Sequence, residues 1–311
     1  MTKAPLVSII IPTFNRAHLI GETLDSVMAQ TYQNWECIVV DDGSSDGTDQ
    51  LMVTYCAKDS RFQYHHRPAD RLPGGNAARN YGFEVSKGDY VQWFDSDDLM
   101  MSEKLELCVL EIRDEKKDLV ICNFNTLGKK PKTPELAIND LLKYHIAYGT
   151  INTQICFLKK KILNDIIFDE SLVRGQEFEF FVRLFSEKKI KFSIIQQSLS
   201  EIREHNDSIT GKYLNGNKEY INSLLYSKLT AYKSSSIFDD KTQNIVSKKF
   251  EIILWRALVF RHQKLYWHYL NKYFKVNKEM GFCKKLKFVF LAKCFFTFKR
   301  GSLIIKKYYF K

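Results

Sequence analysis

The first 124 residues alternate strictly between short apolar runs and amphipathic stretches, and few folds accommodate that pattern. Leu6-Val7-Ser8-Ile9-Ile10-Ile11 is a near-continuous β-branched run closed by Pro12, as expected of a parallel strand buried on both faces. Residues 17–30 then place Leu19, Ile20, Leu24, Val27 and Met28 at helical spacing. Strands are predicted at 35–40, 62–65, 90–94 and 119–124, alternating with helices at 48–55 (capped by Thr48), 76–85 and 103–115. Such alternation implies right-handed βαβ units and a parallel sheet. After Asn125 the pattern loosens into a polar loop at 129–134, a helix at 136–145, a strand at 151–158 and a helix at 176–185. Short strands at 192–195 and 199–202 follow. From 214 onward only helices are predicted, at 214–226, 244–273 and in a last aromatic-basic segment. No repeat or low-complexity linker intervenes, so the helical tail is expected to pack on the body.

Composition divides the chain in the same place. The net charge of +11 is a property of the tail: residues 241–311 carry 18 Lys+Arg against 2 Asp+Glu, and residues 1–240 carry 29 against 34. A mildly acidic body without stacking or groove-reading motifs argues against nucleic-acid binding. The seven cysteines are odd in number and lack Cys-x-x-Cys spacing, so buried reduced thiols are expected rather than disulfides or zinc. Met1-Thr2-Lys3-Ala4-Pro5 has no apolar signal region, and no stretch reaches the roughly 18 apolar residues of a membrane span. A cytoplasmic location is expected.

Two acidic clusters fall just after predicted strands: Asp41-Asp42-Gly43-Ser44 and Asp95-Ser96-Asp97-Asp98. Carboxylates gathered at strand ends repel one another unless a cation or polar ligand sits between them. In an open α/β sheet the ligand crevice lies outside the carboxyl ends of the strands, where both clusters fall. Asp-x-Asp alone is more often a solvated turn, but after a buried strand and beside a second acidic cluster it points to function. Its hard oxygens suit Mg²⁺ or Mn²⁺, which keep positions for water and substrate phosphate.

Four segments, taken in order, resemble family 2 glycosyltransferases of the GT-A fold. They are Ser8-Ile9-Ile10-Ile11-Pro12-Thr13-Phe14-Asn15-Arg16, Val40-Asp41-Asp42-Gly43-Ser44-Ser45-Asp46-Gly47-Thr48, Gly74-Gly75-Asn76-Ala77-Ala78-Arg79-Asn80-Tyr81-Gly82 and Asp95-Ser96-Asp97-Asp98. The resemblance is tight over about 5–125 and loose to about 210. It implies a Rossmann-like, mostly parallel sheet flanked by helices. The expected domains are a catalytic one at 1–212, with a nucleotide-binding half at 1–125 and an acceptor half at 126–212, and a basic helical extension at 213–311.

The resemblance also implies site roles. Asp97 is the direct metal ligand, Asp95 sits near the ribose or a metal-bound water, and Asp42 accepts a hydrogen bond from the base, typically uracil. Pro12 and Thr13 leave the first strand where backbone groups line the nucleotide site. Arg79 faces the base or a phosphate, or equally pairs with the acidic loops. Ser44, Asp46 and Thr48 are read as turn and cap residues. The family's general base is the Asp of a Glu-Asp pair opening a helix. Here Gln176 and Glu177 occupy those positions, so Glu177, one methylene longer, is the expected base, with Glu179 as the fallback. In Arg203-Glu204-His205, His205 corresponds to a histidine that completes the metal sphere or contacts the diphosphate.

What the resemblance implies is a metal-dependent, inverting transfer of one sugar, hexose or acetamido-hexose, from a nucleotide donor that is UDP-linked by preference. The acceptor is a glycan or lipid-linked saccharide and the setting is surface polysaccharide assembly. A catalytically degenerate nucleotide-binding protein is the alternative, resting on Gln176. No Gln-x-x-Arg-Trp stretch signals processive synthesis. In the tail, 282–296 mixes lysines with large apolar groups, and its lysines do not share one face of a helical wheel. A helix with snorkelling lysines accounts for the segment, and so does peripheral attachment to an anionic membrane surface, which the +16 balance favours.

Overall fold

The β-branched run at the N-terminus lies inside a sheet. In the computed structural model, which describes residues 4–113, 116–127, 138, 140–203 and 216–298, the chain divides into two compact units. The first comprises Met1–Leu141, Thr150–Ser171 and Arg183–Asp207. It holds strands β1 (Val7–Thr13), β2 (Trp35–Asp41), β3 (Phe62–His66), β4 (Tyr90–Trp93), β5 (Leu99–Met100), β6 (Leu119–Thr126), β7 (Cys156–Lys159) and β8 (Phe192–Ile202). Its helices are α1 (Ala17–Met28), α2 (Thr48–Lys58), α3 (Gly75–Val85) and α4 (Lys104–Ile112). The strands form one eight-stranded sheet in the order β3-β2-β1-β4-β7-β6-β8-β5.

β1 runs parallel between β2 and β4, and Val7, Ile9, Ile10 and Ile11 are fully buried. It continues through Pro12 to Thr13, further than the sequence indicated. Phe94 N donates to Ile10 O, so even-numbered residues of β1 face β4, and that ladder has ended before Pro12 would need to donate. The sheet is mostly parallel, as expected, with two antiparallel departures. β3-β2-β1-β4 and the β6–β8 pair are parallel, but β7 runs antiparallel between β4 and β6, and β5 is antiparallel to β8. A doubly buried apolar run reads the same in either direction.

Two further differences are local. The strands expected at 192–195 and 199–202 are one strand, β8, which bulges against β6 as Cys122 pairs Ile195 and Asn123 pairs Ser198. The two extra residues, Gln196 and Gln197, are exposed. Thr48 is the first residue of α2 rather than its cap, which is Gly47 at φ 104°.

The second unit comprises Leu142–Gly149, Leu172–Val182 and Ser208–Lys311. Helix α5 (Leu141–Tyr148) and α6 (Gln176–Glu187) straddle the division between units, and α7 (Lys218–Ser234), α8 (Asp240–Val259), α9 (Gln263–Val276) and α10 (Phe282–Phe298) complete the second. α7 to α10 close around one apolar cluster in which the Trp255 and Phe288 rings stack at 5.5 Å. The helix expected over 244–273 is two helices, broken where Arg261 takes φ 59°. No glycine or proline marks that break. Buried Glu251 accepts from the Tyr273 hydroxyl at 3.0 Å and pairs with Lys284 Nζ at 2.8 Å, tying α8, α9 and α10 together. Among the described residues no helix is long and apolar enough to cross a membrane.

Gly88, just before β4, shows how closely the first unit is packed. A Cβ there would lie 2.7 Å from Ser8 N and 2.8 Å from Leu6 O, both backbone atoms of the β1 segment. Gly88 N also donates to Ser8 Oγ at 2.8 Å, and that hydroxyl donates to buried Glu36 at 2.6 Å. Gly88→Ala is therefore expected to destabilise the protein by about 1–3 kcal/mol, read as a lowered urea midpoint with an unchanged slope.

Candidate active site

The carboxyl ends of β1, β2 and β4 carry most of the chemistry-bearing residues. At the end of β2, Asp41 is buried and its Oδ1 accepts from Gly43 N, Ser44 N and Ser44 Oγ at 3.1, 2.9 and 2.7 Å. Its Oδ2 faces the Tyr64 hydroxyl at 2.7 Å, so Asp41 organises the loop. Asp42 is held by a backbone bond from its N–H to Thr13 O, and Arg67 Nε donates to its Oδ1 at 2.5 Å. Asp46 accepts from Ala17 N, Thr48 N and Thr48 Oγ1, tying the loop to the start of α1. Thr13 is 3% exposed, and its hydroxyl has no hydrogen-bond partner among the described residues.

Beyond β4, Asp95, Asp97 and Asp98 each bring a carboxylate oxygen within 4.8 Å of the others. Arg79, near the start of α3, donates from Nη2 to Asp95 Oδ1 at 2.7 Å and is itself 8% exposed. The Gln154 amide bridges Asp95 Oδ2 and Asp98 Oδ2, the latter at 3.0 Å. Asp98 Oδ1 accepts from Arg203 N at 3.1 Å. Burial, then the charges of Asp95 and Asp97, push the Asp98 carboxyl from an ordinary 3.8 up to about 7, against the Arg203 N–H and the Gln154 amide. The Asp97 side chain is 24% exposed, against 29% for Asp95, and its Oδ2 lies 3.8 Å from Arg16 Nε. The donor set is all hard oxygen and its members repel one another, so it fits Mg²⁺ or Mn²⁺.

Arg203 ends β8 by bracing this loop. Its guanidinium donates to Asp97 O, Leu19 O at 3.0 Å and Thr23 Oγ1 at 3.1 Å, and pairs with Glu22 at 2.8 Å. Lys104, fully buried at the start of α4, donates to Gln154 O and to Ser200 Oγ at 2.7 Å, fixing the turn that carries Gln154.

Comparison with known proteins follows the same outline. The family model described as Glycosyl transferase family 2 matches residues 8–172, more than half of the chain. The chain belongs to glycosyl transferase family 2. An uncharacterized glycosyltransferase of Rickettsia typhi is 30% identical over 231 residues, covering 70% of each protein. By fold the chain is similar to S. aureus TarS, solved in complex with UDP-GlcNAc, at a TM-score of 0.66, 18% identity and 87% and 81% coverage. It is also similar to the mannosyltransferase PcManGT of Pyrobaculum calidifontis, in complex with GDP-Man and Mn²⁺, at 0.60 and 17% with 88% and 76% covered. These likenesses carry the GT-A fold, and the family makes the chain a glycosyltransferase.

The segment matched to the family contains Pro12, Thr13, Asp42, Arg79, Asp95 and Asp97, and Glu177 and His205 lie beyond it. Of the two readings open for Arg79, the structure displays the ion pair with an acidic loop. Glu177 is half-buried in the first turn of α6, and Glu179 is buried, its N–H donating to Gly175 O. Glu177 belongs to the second unit and Asp97 to the first. His205 lies outside the described residues. Sequence reasoning missed Arg67 and Gln154, and took Arg203 only as part of an Arg-x-His stretch. Gln154 falls inside the segment read as a strand, which the structure makes a 3-10 turn before β7, and lies 56 residues from Asp98 with no local pattern linking the two. An arginine at the tip of the strand paired with β2 was the available signal for Arg67.

The Asp98 shift has a consequence for stability. Between pH 3.8 and about 7 the folded protein keeps a proton that the unfolded chain has released. Stability from this group is thus greatest at low pH and falls as pH rises through that window, by up to about 1.4 kcal/mol per unit. Asp98→Asn, studied in chelator by thermal unfolding, is expected to lose that decline and to match or exceed the parent near neutral pH.

Proposed function

We propose that the protein transfers a single hexose or acetamido-hexose, with inversion, from a UDP-linked donor to a glycan or lipid-linked saccharide in surface polysaccharide assembly. The Asp95–Asp97–Asp98 cluster carries this reading, since three carboxylates held together after a buried strand call for a cation and the diphosphate it binds. The nucleotide-sugar complexes of TarS and PcManGT support the donor class. A lipid-linked acceptor would place the protein in the cytoplasm at the inner face of the membrane.

Each residue then has a chemical task. Asp42, its carboxylate oriented by Arg67, accepts from the base, and the unsatisfied Thr13 hydroxyl and the end of β1 at Pro12 lie along the nucleotide. Arg79 holds Asp95 through its 2.7 Å hydrogen bond and keeps it pointed at the ribose edge. Asp97, with His205 in support, would hold Mn²⁺ or Mg²⁺, whose charge offsets that of the departing diphosphate. Glu177 takes the proton of the acceptor hydroxyl as its oxygen bonds to the anomeric carbon and the sugar–phosphate bond breaks. The sheet unit is the catalytic body in this reading, and the C-terminal helices are an extension.

Gln176 does not favour a degenerate protein. Its amide donates to Leu172 O at 3.0 Å, a bond that a carboxylate could not form, so the residue has a structural task at the entry to α6.

Calorimetry tests the donor site. UDP binding is expected to depend on Mn²⁺ and to vanish in Asp97→Ala; silence toward UDP, GDP and TDP alike would overturn the reading. Glu177→Gln separates binding from chemistry. It should bind UDP like the parent while kcat falls about 10²- to 10⁴-fold, and a parental kcat would move the base to Glu179.

A further inference from the structure

Helix α10 has two apolar faces, and only one of them is used in the second unit. Phe288, Ala292 and Phe295 are 1%, 0% and 7% exposed and join the cluster formed with α7, α8 and α9. Phe282, Leu286 and Phe290, one turn apart on another face, are 74%, 50% and 67% exposed. They form a ridge about 12 Å long at the 1.5 Å rise of an α-helix. An exposed line of large apolar groups costs stability and solubility unless something covers it. Exposed Lys287 and Lys293 lie beside the ridge, and α10 has no acidic residue. Exposed Lys264, Lys272, Lys275 and Lys278 lie on α9 and just beyond it.

We propose that α10 seats the protein on an anionic lipid surface, sinking Phe282, Leu286 and Phe290 into the headgroup–acyl boundary with Lys287 and Lys293 among the headgroups. The charge selects this occupant. Lysines beside an apolar ridge complement a negative bilayer surface, which attracts each cation with about 1 kcal/mol, whereas a second copy would set lysines against lysines. At 17 residues and with four lysines, α10 would lie along the membrane and not span it. The inference deepens the lipid-linked reading of the acceptor, but its test needs neither donor nor acceptor, so either can fail alone.

The experiment is co-sedimentation of the full chain with phosphatidylcholine vesicles, with and without phosphatidylglycerol. Binding is expected only to the anionic vesicles, weaker in high salt, and reduced at least about tenfold by combining Phe282→Ser, Leu286→Ser and Phe290→Ser, with UDP binding unchanged. Phe290→Trp supplies a readout independent of that triple change, because its added fluorescence should be quenched by brominated lipid in anionic vesicles. Absence of vesicle binding, parental binding by the triple variant, or an unquenched Phe290→Trp would overturn the proposal. So would a dimer in solution that the triple variant abolishes.

Discussion

Repulsion among Asp95, Asp97 and Asp98 is the constraint around which the first unit is arranged. At separations within 4.8 Å, each pair of ionised carboxylates repels by on the order of 3 kcal/mol at an effective dielectric near 20. No local sequence near β4 relieves that cost. Relief comes from α3 through Arg79, from the turn before β7 through Gln154, and from the end of β8 through the Arg203 N–H. Each of these needs the sheet to be assembled first, so the loop can be acidic only because the strand order is as it is. The remaining strain appears in the raised pKa of Asp98, and a bound divalent cation would relieve it.

The same dependence explains how the polar interior is organised. Among the described residues Lys104 is buried without a carboxylate on its amine, yet it donates to Gln154 O and Ser200 Oγ and so holds the turn carrying the Gln154 amide. Arg203 spends its guanidinium on α1 and on the Asp97 carbonyl, joining the end of β8 to the acidic loop. Buried cations of this kind act as positioning elements, since their cost is offset only when every donor finds an acceptor.

Much of the first unit was legible. β-branched runs announced β1, β2, β4 and β6 because strands buried on both faces need apolar residues at consecutive positions. Helical spacing announced α1 and α3. The acidic clusters were legible as candidate sites because charge at a strand end has no packing explanation. Strand direction was not, and β7 is the instance: its apolar run has no polarity, and its reversed place between β4 and β6 emerges only on pairing. The break at Arg261 was also hidden, since the apolar spacing continues from Leu254 and Leu258 to Leu265 across a residue that merely changes its φ.

The tail marks the boundary between the two kinds of information most clearly. Sequence alone determined its basicity, its aromatic content and its helices, since these follow from residue type and near-neighbour spacing. It determined likewise that the body ends its strands in carboxylates. The lysines of α10 resisted assignment to one polar face because the helix has two apolar ones. Which face is buried was decided when Trp255 stacked on Phe288, just as Arg79, Gln154 and Arg203 became partners of the acidic loop only when distant segments met. Pattern and propensity act over a few residues, while neutralising a buried charge or covering an apolar face requires groups tens of residues away, and only tertiary structure supplies those.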